Sequence, residues 1–147
     1  NAMLAINEAV KLQETGNLDV IQSAEKIVED YKNRGQRISG FGHRFHAADP
    51  RSVRLFEFAK ELKVAGKFIE QAEALEKVLS EKSSKALPIN ADGAIAACLL
   101  EMNFSPKIAN GIFMIARTAG LVAHAVEEQE NNPPMRTVDV ENYDFEK

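Results

Sequence analysis

The sequence predicts an all-α fold, and three observations carry that expectation. Apolar residues recur at spacings of three and four along most of the chain, as on the inner face of an amphipathic helix. Two cap-plus-proline pairs, Asp49-Pro50 and Ser105-Pro106, mark helix starts. No alternating polar and apolar run is long enough to build a sheet.

Residues 4–14 form a short helical stretch that ends near Gly16. A second helix is expected from Asn17, a plausible N-cap, with Leu18, Ile21, Ala24, Ile27, Val28 and Tyr31 facing inward and Gly35 as its stop. A loop follows, Ser39-Gly40-Phe41-Gly42-His43-Arg44-Phe45-His46-Ala47-Ala48-Asp49-Pro50-Arg51. The helix opened by Asp49-Pro50 carries Val53, Phe56, Phe58, Ala59 and Leu62 and is expected to break at Gly66. Phe68, Ala72, Leu75, Val78 and Leu79 mark another, which ends in the polar run Ser80–Lys85. After Pro88, Asn90 or Asp92 caps a helix over about 92–102. Ser105-Pro106 then opens a long, nearly all-apolar helix through roughly 128, with Ile108, Ile112, Phe113, Ile115, Leu121 and Val122. So little polar surface predicts a helix central to a bundle. Asn132-Pro133-Pro134 ends it, and an extended tail is expected beyond. That makes six helices.

A chain of 147 residues, 45% hydrophobic, is long enough for one compact domain or a piece of a larger one. No run approaches the ~18 consecutive apolar residues of a membrane span, and no basic, apolar leader is evident. The net charge of −4 gives no reason to expect nucleic acid. Its sign is uneven, however. Residues 34–60 hold Arg34, Arg37, Arg44, Arg51, Arg54 and Lys60 against only Asp49 and Glu57. A basic patch within an acidic protein points to a small anion. The single cysteine, Cys98, lies in an apolar run and is expected to be a buried, inert thiol in a reducing cytoplasm.

The loop over 39–51 concentrates the reactive side chains. Gly40 and Gly42 let a ligand approach the main chain closely. His43, held between them and Arg44, could donate a hydrogen bond to a carbonyl oxygen that gains negative charge, or it could simply be tied to the backbone. His46 could touch a phosphate or only pack. A metal site at His43, His46 and His124 is the rival reading, but no cysteine pair and no acidic residue at a metal-motif spacing accompanies them, so no metal is expected. Arg51, in the first turn of a helix, can grip a carboxylate bidentately where the helix start already attracts anions. Asp92, also in a first turn, is either a cap or a general base. Arg117, inside Met114-Ile115-Ala116-Arg117-Thr118-Ala119-Gly120-Leu121, needs an anionic partner if it is buried. Arg136 follows two prolines in a segment suited to reaching a neighbouring subunit.

These residues stand in a known order. Gly40-Phe41-Gly42-His43 through Asp49-Pro50-Arg51 resembles the Gly-aromatic-Gly-His…Asp-Pro-Arg segment of citrate synthases. Asn90-Ala91-Asp92-Gly93 resembles their Asn-Val-Asp segment, with alanine in place of the usual valine. Ala116-Arg117-Thr118-Ala119-Gly120-Leu121-Val122-Ala123-His124 resembles their Ala-Arg-x-x-Gly-x-x-Ala-His helix. The wording Gly-Phe-Gly-His-Arg-Phe-His, with Glu127-Glu128-Gln129, is similar to the citryl-CoA lyase branch. The resemblance covers residues from about 5 to 137.

The resemblance implies a citrate synthase-like helical small domain over 36–128, preceded by helices of the large domain over 3–35 and followed by a tail over 129–147. It implies that His43 hydrogen-bonds the ketone of oxaloacetate or the matching oxygen of citryl-CoA. Arg51 and Arg117 would hold the carboxylates, with Arg136 doing so from a partner subunit. Asp92 would move the methyl proton of acetyl-CoA. The main chain at Ser39, Gly40, Phe41 and Gly42 would meet the adenine of coenzyme A, with Arg44 or His46 near its phosphates. The family's large domain supplies another histidine, to the thioester oxygen, and no histidine precedes His43 here. The expectation is therefore a chain that is incomplete alone, a homodimer or the complement of an amino-terminal half. The alternative is a non-catalytic helical module that binds coenzyme A or another subunit.

Overall fold

The computed structural model describes residues 2–43 and 47–135. Among them it is all-helical, as expected: α1 (Ala2–Gly16), α2 (Val20–Asn33), α3 (Pro50–Glu61), α4 (Lys67–Glu81), α5 (Ala91–Glu101) and α6 (Ala109–Asn131). The only extended pairing among the described residues is an isolated antiparallel bridge between Phe41 and Ile89. The chain divides into two compact units, residues 1–109 and 110–147.

In the first unit α1 packs on α2, α4 and α5, α2 on α4, α4 on α5, and α3 on α5. The core is built from Met3, Ile6 and Val10 of α1, Ala24, Ile27 and Val28 of α2, Ile69, Ala72, Leu75 and Val78 of α4, and Ala94, Ala97 and Leu100 of α5. α5 is small and apolar nearly all round, which suits a helix covered by α1, α3 and α4 together. Gln71 of α4 sits fully inside, beside the equally buried Ser23. It is tolerated because its oxygen accepts from Ser23 Oγ at 3.1 Å and its Nε2 donates to Val20 O at 3.1 Å.

Helix ends account for most differences from the sequence reading. Asn17 does not cap α2. It takes a left-handed conformation (φ 49°) after α1, and Asp19 caps α2 in a capping box with Gln22. α2 stops as expected at Gly35 (φ 64°), where Gln36 N donates to Tyr31 O at 2.8 Å. α3 stops before Gly66, because Lys63 adopts the left-handed turn (φ 57°) and Val64 N donates to Ala59 O. Gly66 instead opens α4. It has no side chain to cap with, so Glu101 Oε1 at the end of α5 accepts from Gly66 N, Phe68 N and Ile69 N at 2.8, 2.9 and 3.0 Å. Ser105-Pro106 opens a turn, and α6 begins only at Ala109.

The second unit is described through α6. The sequence reading makes this helix central to a bundle, yet none of its side chains is buried. Phe113, Met114, Ile115, Leu121 and Val122 are exposed. At 23 residues it is also the one described helix long and apolar enough to cross a membrane by length and mean composition, although Asn110, Arg117, Thr118 and His124 interrupt its apolar run.

Glu101→Ala removes the acceptor for three N–H groups at the start of α4. It should lower stability by about 1–2 kcal/mol, read from the urea unfolding midpoint. Glu101→Gln, which keeps one acceptor oxygen, should recover part of that loss.

Candidate functional site

The loop is seated on the start of α5 by short backbone pairing. Gly42 N donates to Pro88 O at 2.7 Å and Asn90 N donates to Gly40 O at 3.0 Å. Asn90 Nδ2 adds a bond to Gly42 O at 3.0 Å. These bonds commit Gly40 O, Gly42 N and Gly42 O to the pairing. The approach requires glycine on both sides. Gly40 sits at φ 92°, and a Cβ there would lie 2.8 Å from Gly93 Cα. A Cβ on Gly93 would overlap Gly40 O.

Asp49 ties this seat to α3. Its carboxylate is fully buried. Oδ1 accepts from Arg51 N at 3.0 Å and Arg51 Nε at 3.0 Å. Oδ2 accepts from Arg51 Nη2 at 2.9 Å and, across the unit, from Ala91 N of α5 at 3.0 Å. His43 Nε2 lies 3.8 Å from the same Oδ2, beyond direct hydrogen-bond reach. Ser52 Oγ donates to Ile89 O at 2.9 Å and closes the joint. The Arg51 side chain holds the Asp49 carboxyl down to about 2 against the opposing push of burial, with the N–H groups of Arg51 and Ala91 helping. Arg51 is in turn held charged chiefly by Asp49, and Asp92 contributes to its field.

Asp92 is not the cap of α5. Asn90 is, with its Oδ1 accepting from Asp92 N at 3.0 Å and Gly93 N at 3.3 Å. Asp49 takes Ala91 N, and Ala94 N makes the first helical bond to Asn90 O. Every N–H of the first turn is therefore satisfied without the Asp92 carboxylate. That side chain is exposed and makes no hydrogen bond or ion pair with a described residue.

His43, Arg51 and Asp92, separated by up to 49 positions, thus gather around one buried acid. Arg54, one turn along α3 from Arg51, is differently occupied. It pairs with Glu57 and Glu61 and lies over the Phe58 ring at 3.7 Å. An open depression of about 400 Å³ is lined by Pro50, Arg51, Arg54, Leu55 and Phe58. A second, of about 390 Å³, is lined by Asp49, Glu57, Glu73 and Glu76 against Lys60 and is poorly suited to phosphates. Arg117 belongs to the second unit, where it is exposed and lies 5.4 Å from the Phe113 ring centre. His124 is there too, 3.5 Å from Glu127. Arg44, His46 and Arg136 lie outside the described residues. Among the described residues no three His, Cys, Asp or Glu side chains form a metal cluster. Cys98 is half-buried, where full burial was expected, and burial still pushes its thiol up. The sequence reading took Asp49 for a cap alone; it offered Asn90 as a cap, as found, but missed its bond to Gly42 O and the close approach at Gly93. The signal was present in an arginine two positions after a capping aspartate.

A buried acid joins two helix starts on an all-helical scaffold, with an arginine and a second acid at their ends. Residues 2–138 match the family model "Citrate synthase, C-terminal domain", and the chain belongs to the citrate synthase family. It is 34% identical over 113 residues to the citrate synthase of Haloferax volcanii, covering 74% of this chain and 29% of that protein. The citryl-CoA lyase of Hydrogenobacter thermophilus superposes with a TM-score of 0.71 at 33% identity, over 97% of this chain and 57% of that one. The ATP citrate lyase of Methanothrix soehngenii in complex with citrate and coenzyme A has a TM-score of 0.74 at 22% identity, over 99% of this chain and 26% of that one, a likeness of fold alone.

Gly93→Ala should cost about 2–3 kcal/mol in urea unfolding, since the new methyl group forces the loop off α5. Gly111→Ala in α6, where a Cβ meets nothing within 4 Å, should be neutral or slightly stabilising. A second expectation concerns acid. Asp49 is depressed on folding from 3.8 to about 2, so its contribution is complete above the unfolded value and lost as pH falls through the folded one. The difference in thermal midpoint between wild type and Asp49→Asn should hold steady from about pH 7 to pH 5 and shrink below about pH 4. A constant difference down to pH 2.5 would remove Asp49 as the source.

Proposed function

We propose that this chain is the carboxy-terminal portion of an enzyme that makes or cleaves the carbon–carbon bond between the acetyl-CoA enolate and oxaloacetate, of citrate synthase or citryl-CoA lyase type. The observation that carries the reading is the first turn of α5. Its donors are satisfied by Asn90 and Asp49, so the Asp92 carboxylate has no capping duty and is available as a base. On this reading Asp92 removes the methyl proton in the forward direction and returns it in cleavage. His43 donates to the ketone oxygen of oxaloacetate, where charge develops. Arg51 and Arg117 hold the carboxylates, and Arg136 adds a third grip from a partner subunit. Coenzyme A would lie along Ser39–Gly42. There Gly40 O, Gly42 N and Gly42 O are already paired, which leaves Ser39 and Phe41 as the main-chain contacts to adenine, with Arg44 or His46 toward the phosphates.

On this reading a histidine of a large domain, or of a separate half, donates to the thioester oxygen. The uncovered apolar side chains of α6 support a subunit contact in a homodimer, in preference to a membrane span or a nucleic-acid surface. The setting is cytoplasmic and no metal takes part. The domain reading of 3–35, 36–128 and 129–147 belongs to this proposal.

The decisive experiment mixes the chain with acetyl-CoA and oxaloacetate, or with citryl-CoA, and follows products with and without an added amino-terminal half from a citrate synthase. Turnover that depends on both halves supports the enzyme, whereas tight binding of coenzyme A without turnover in any combination supports the non-catalytic module. In the active assembly, Asp92→Asn should lower the rate by ~10²-fold or more with coenzyme A affinity nearly unchanged. A rate within a few-fold of wild type would free Asp92 of its assigned role.

A further inference from the structure

The guanidinium of Arg51 has five N–H donors in a rigid fork. Two of them, on Nε and Nη2, go to the two oxygens of Asp49 at 3.0 and 2.9 Å, a side-on bidentate pair. The remaining three, two on Nη1 and one on Nη2, meet no described residue, and the side chain is 60% exposed while Asp49 is buried. The unused donors lie along the end-on edge of the fork, which can itself take a carboxylate bidentately. The same Asp49 Oδ2 that receives Nη2 also receives Ala91 N, one residue before Asp92.

We propose that Asp49 is a positioning residue that fixes the Arg51 fork by its side edge, so that the end edge faces a substrate carboxylate, and that in the same contact it sets the first turn of α5 carrying Asp92. The proposal rests on the reading of this site as one for oxaloacetate. It assigns Asp49 no contact with substrate. An arginine without such a brace loses rotamer freedom on binding, whereas a braced one has already lost it, and the gain appears as affinity for the dicarboxylate. Arg54 provides the contrast on the same helix. Its charge is shared between two glutamates and its plane lies against Phe58, which leaves it poorly placed for a second anion. Lysine could replace Arg51 as the partner of Asp49 but not as a two-edged fork.

The test is calorimetric titration of the chain with oxaloacetate and, separately, with coenzyme A. Asp49→Asn should weaken oxaloacetate binding by at least tenfold and coenzyme A binding by less than threefold, with helical circular dichroism retained. Arg51→Lys should show the same tenfold loss at the wild-type unfolding midpoint, because its charge pair with Asp49 persists. If Asp49→Asn fails to fold, Arg51→Lys alone decides. Wild-type oxaloacetate affinity in Arg51→Lys overturns the proposal, and so does an equal loss of both ligands in a folded Asp49→Asn. A wild-type chain that binds no oxaloacetate overturns the underlying reading and this proposal with it, an outcome distinct from any variant result.

Discussion

The first unit depends on one buried carboxylate. Removing Asp49 from water is unfavourable, and an isolated ion in that position would protonate instead. It stays charged because two main-chain N–H groups and two guanidinium donors converge on its oxygens. The donors come from two places in the chain, the start of α3 and the start of α5, so satisfying the acid fixes two helix ends relative to each other. A buried pair of this kind need not add net stability over an apolar substitute. What it supplies is registration, since only one arrangement of α3 against α5 satisfies all of its bonds.

The glycine contact works in the same direction by a steric route. Gly40 and Gly93 let the loop backbone lie against the α5 backbone, closer than any side chain permits. Asn90 then serves both partners, capping α5 with its oxygen and holding Gly42 O with its nitrogen. Loop, α3 and α5 are therefore joined by main-chain and short polar contacts rather than by long flexible side chains. Placement of catalytic groups to within a fraction of an ångström calls for joints of this stiffness.

Much of this was legible in the sequence. The helix count, the Gly35 stop and the Asp49-Pro50 start follow from local rules about periodicity and caps. The order of His43, Arg51 and Asp92 carried the family resemblance. Other features were hidden because they depend on which residue faces which across the fold. Gly66 looks like a helix breaker and proves to be a helix start, because Glu101, thirty-five positions away, supplies the missing acceptor. Lys63 and Asn103 end helices in left-handed turns that local sequence assigns to glycine first. Arg51 and Arg54 are of one type and lie one turn apart on α3. Only the placement of Glu57, Glu61 and Phe58 shows that one is occupied and the other has an open edge. α6 reads as a core helix because its composition is that of one, yet none of its described side chains is buried.

The division of labour at the start of α5 bears on chemistry as much as on folding. A carboxylate in a first turn is ordinarily stabilised as an anion by the N–H groups there, and each bond it accepts makes it a weaker base. A general base therefore gains from a helix start that is already satisfied. Asn90 and Asp49 take the donors of Ala91, Asp92 and Gly93 between them, and the Asp92 carboxylate keeps its lone pairs. On the proposed reading, a carboxylate without a capping duty is left to meet the methyl group of the thioester. The same geometry serves bond making and bond breaking, because returning the proton retraces the step.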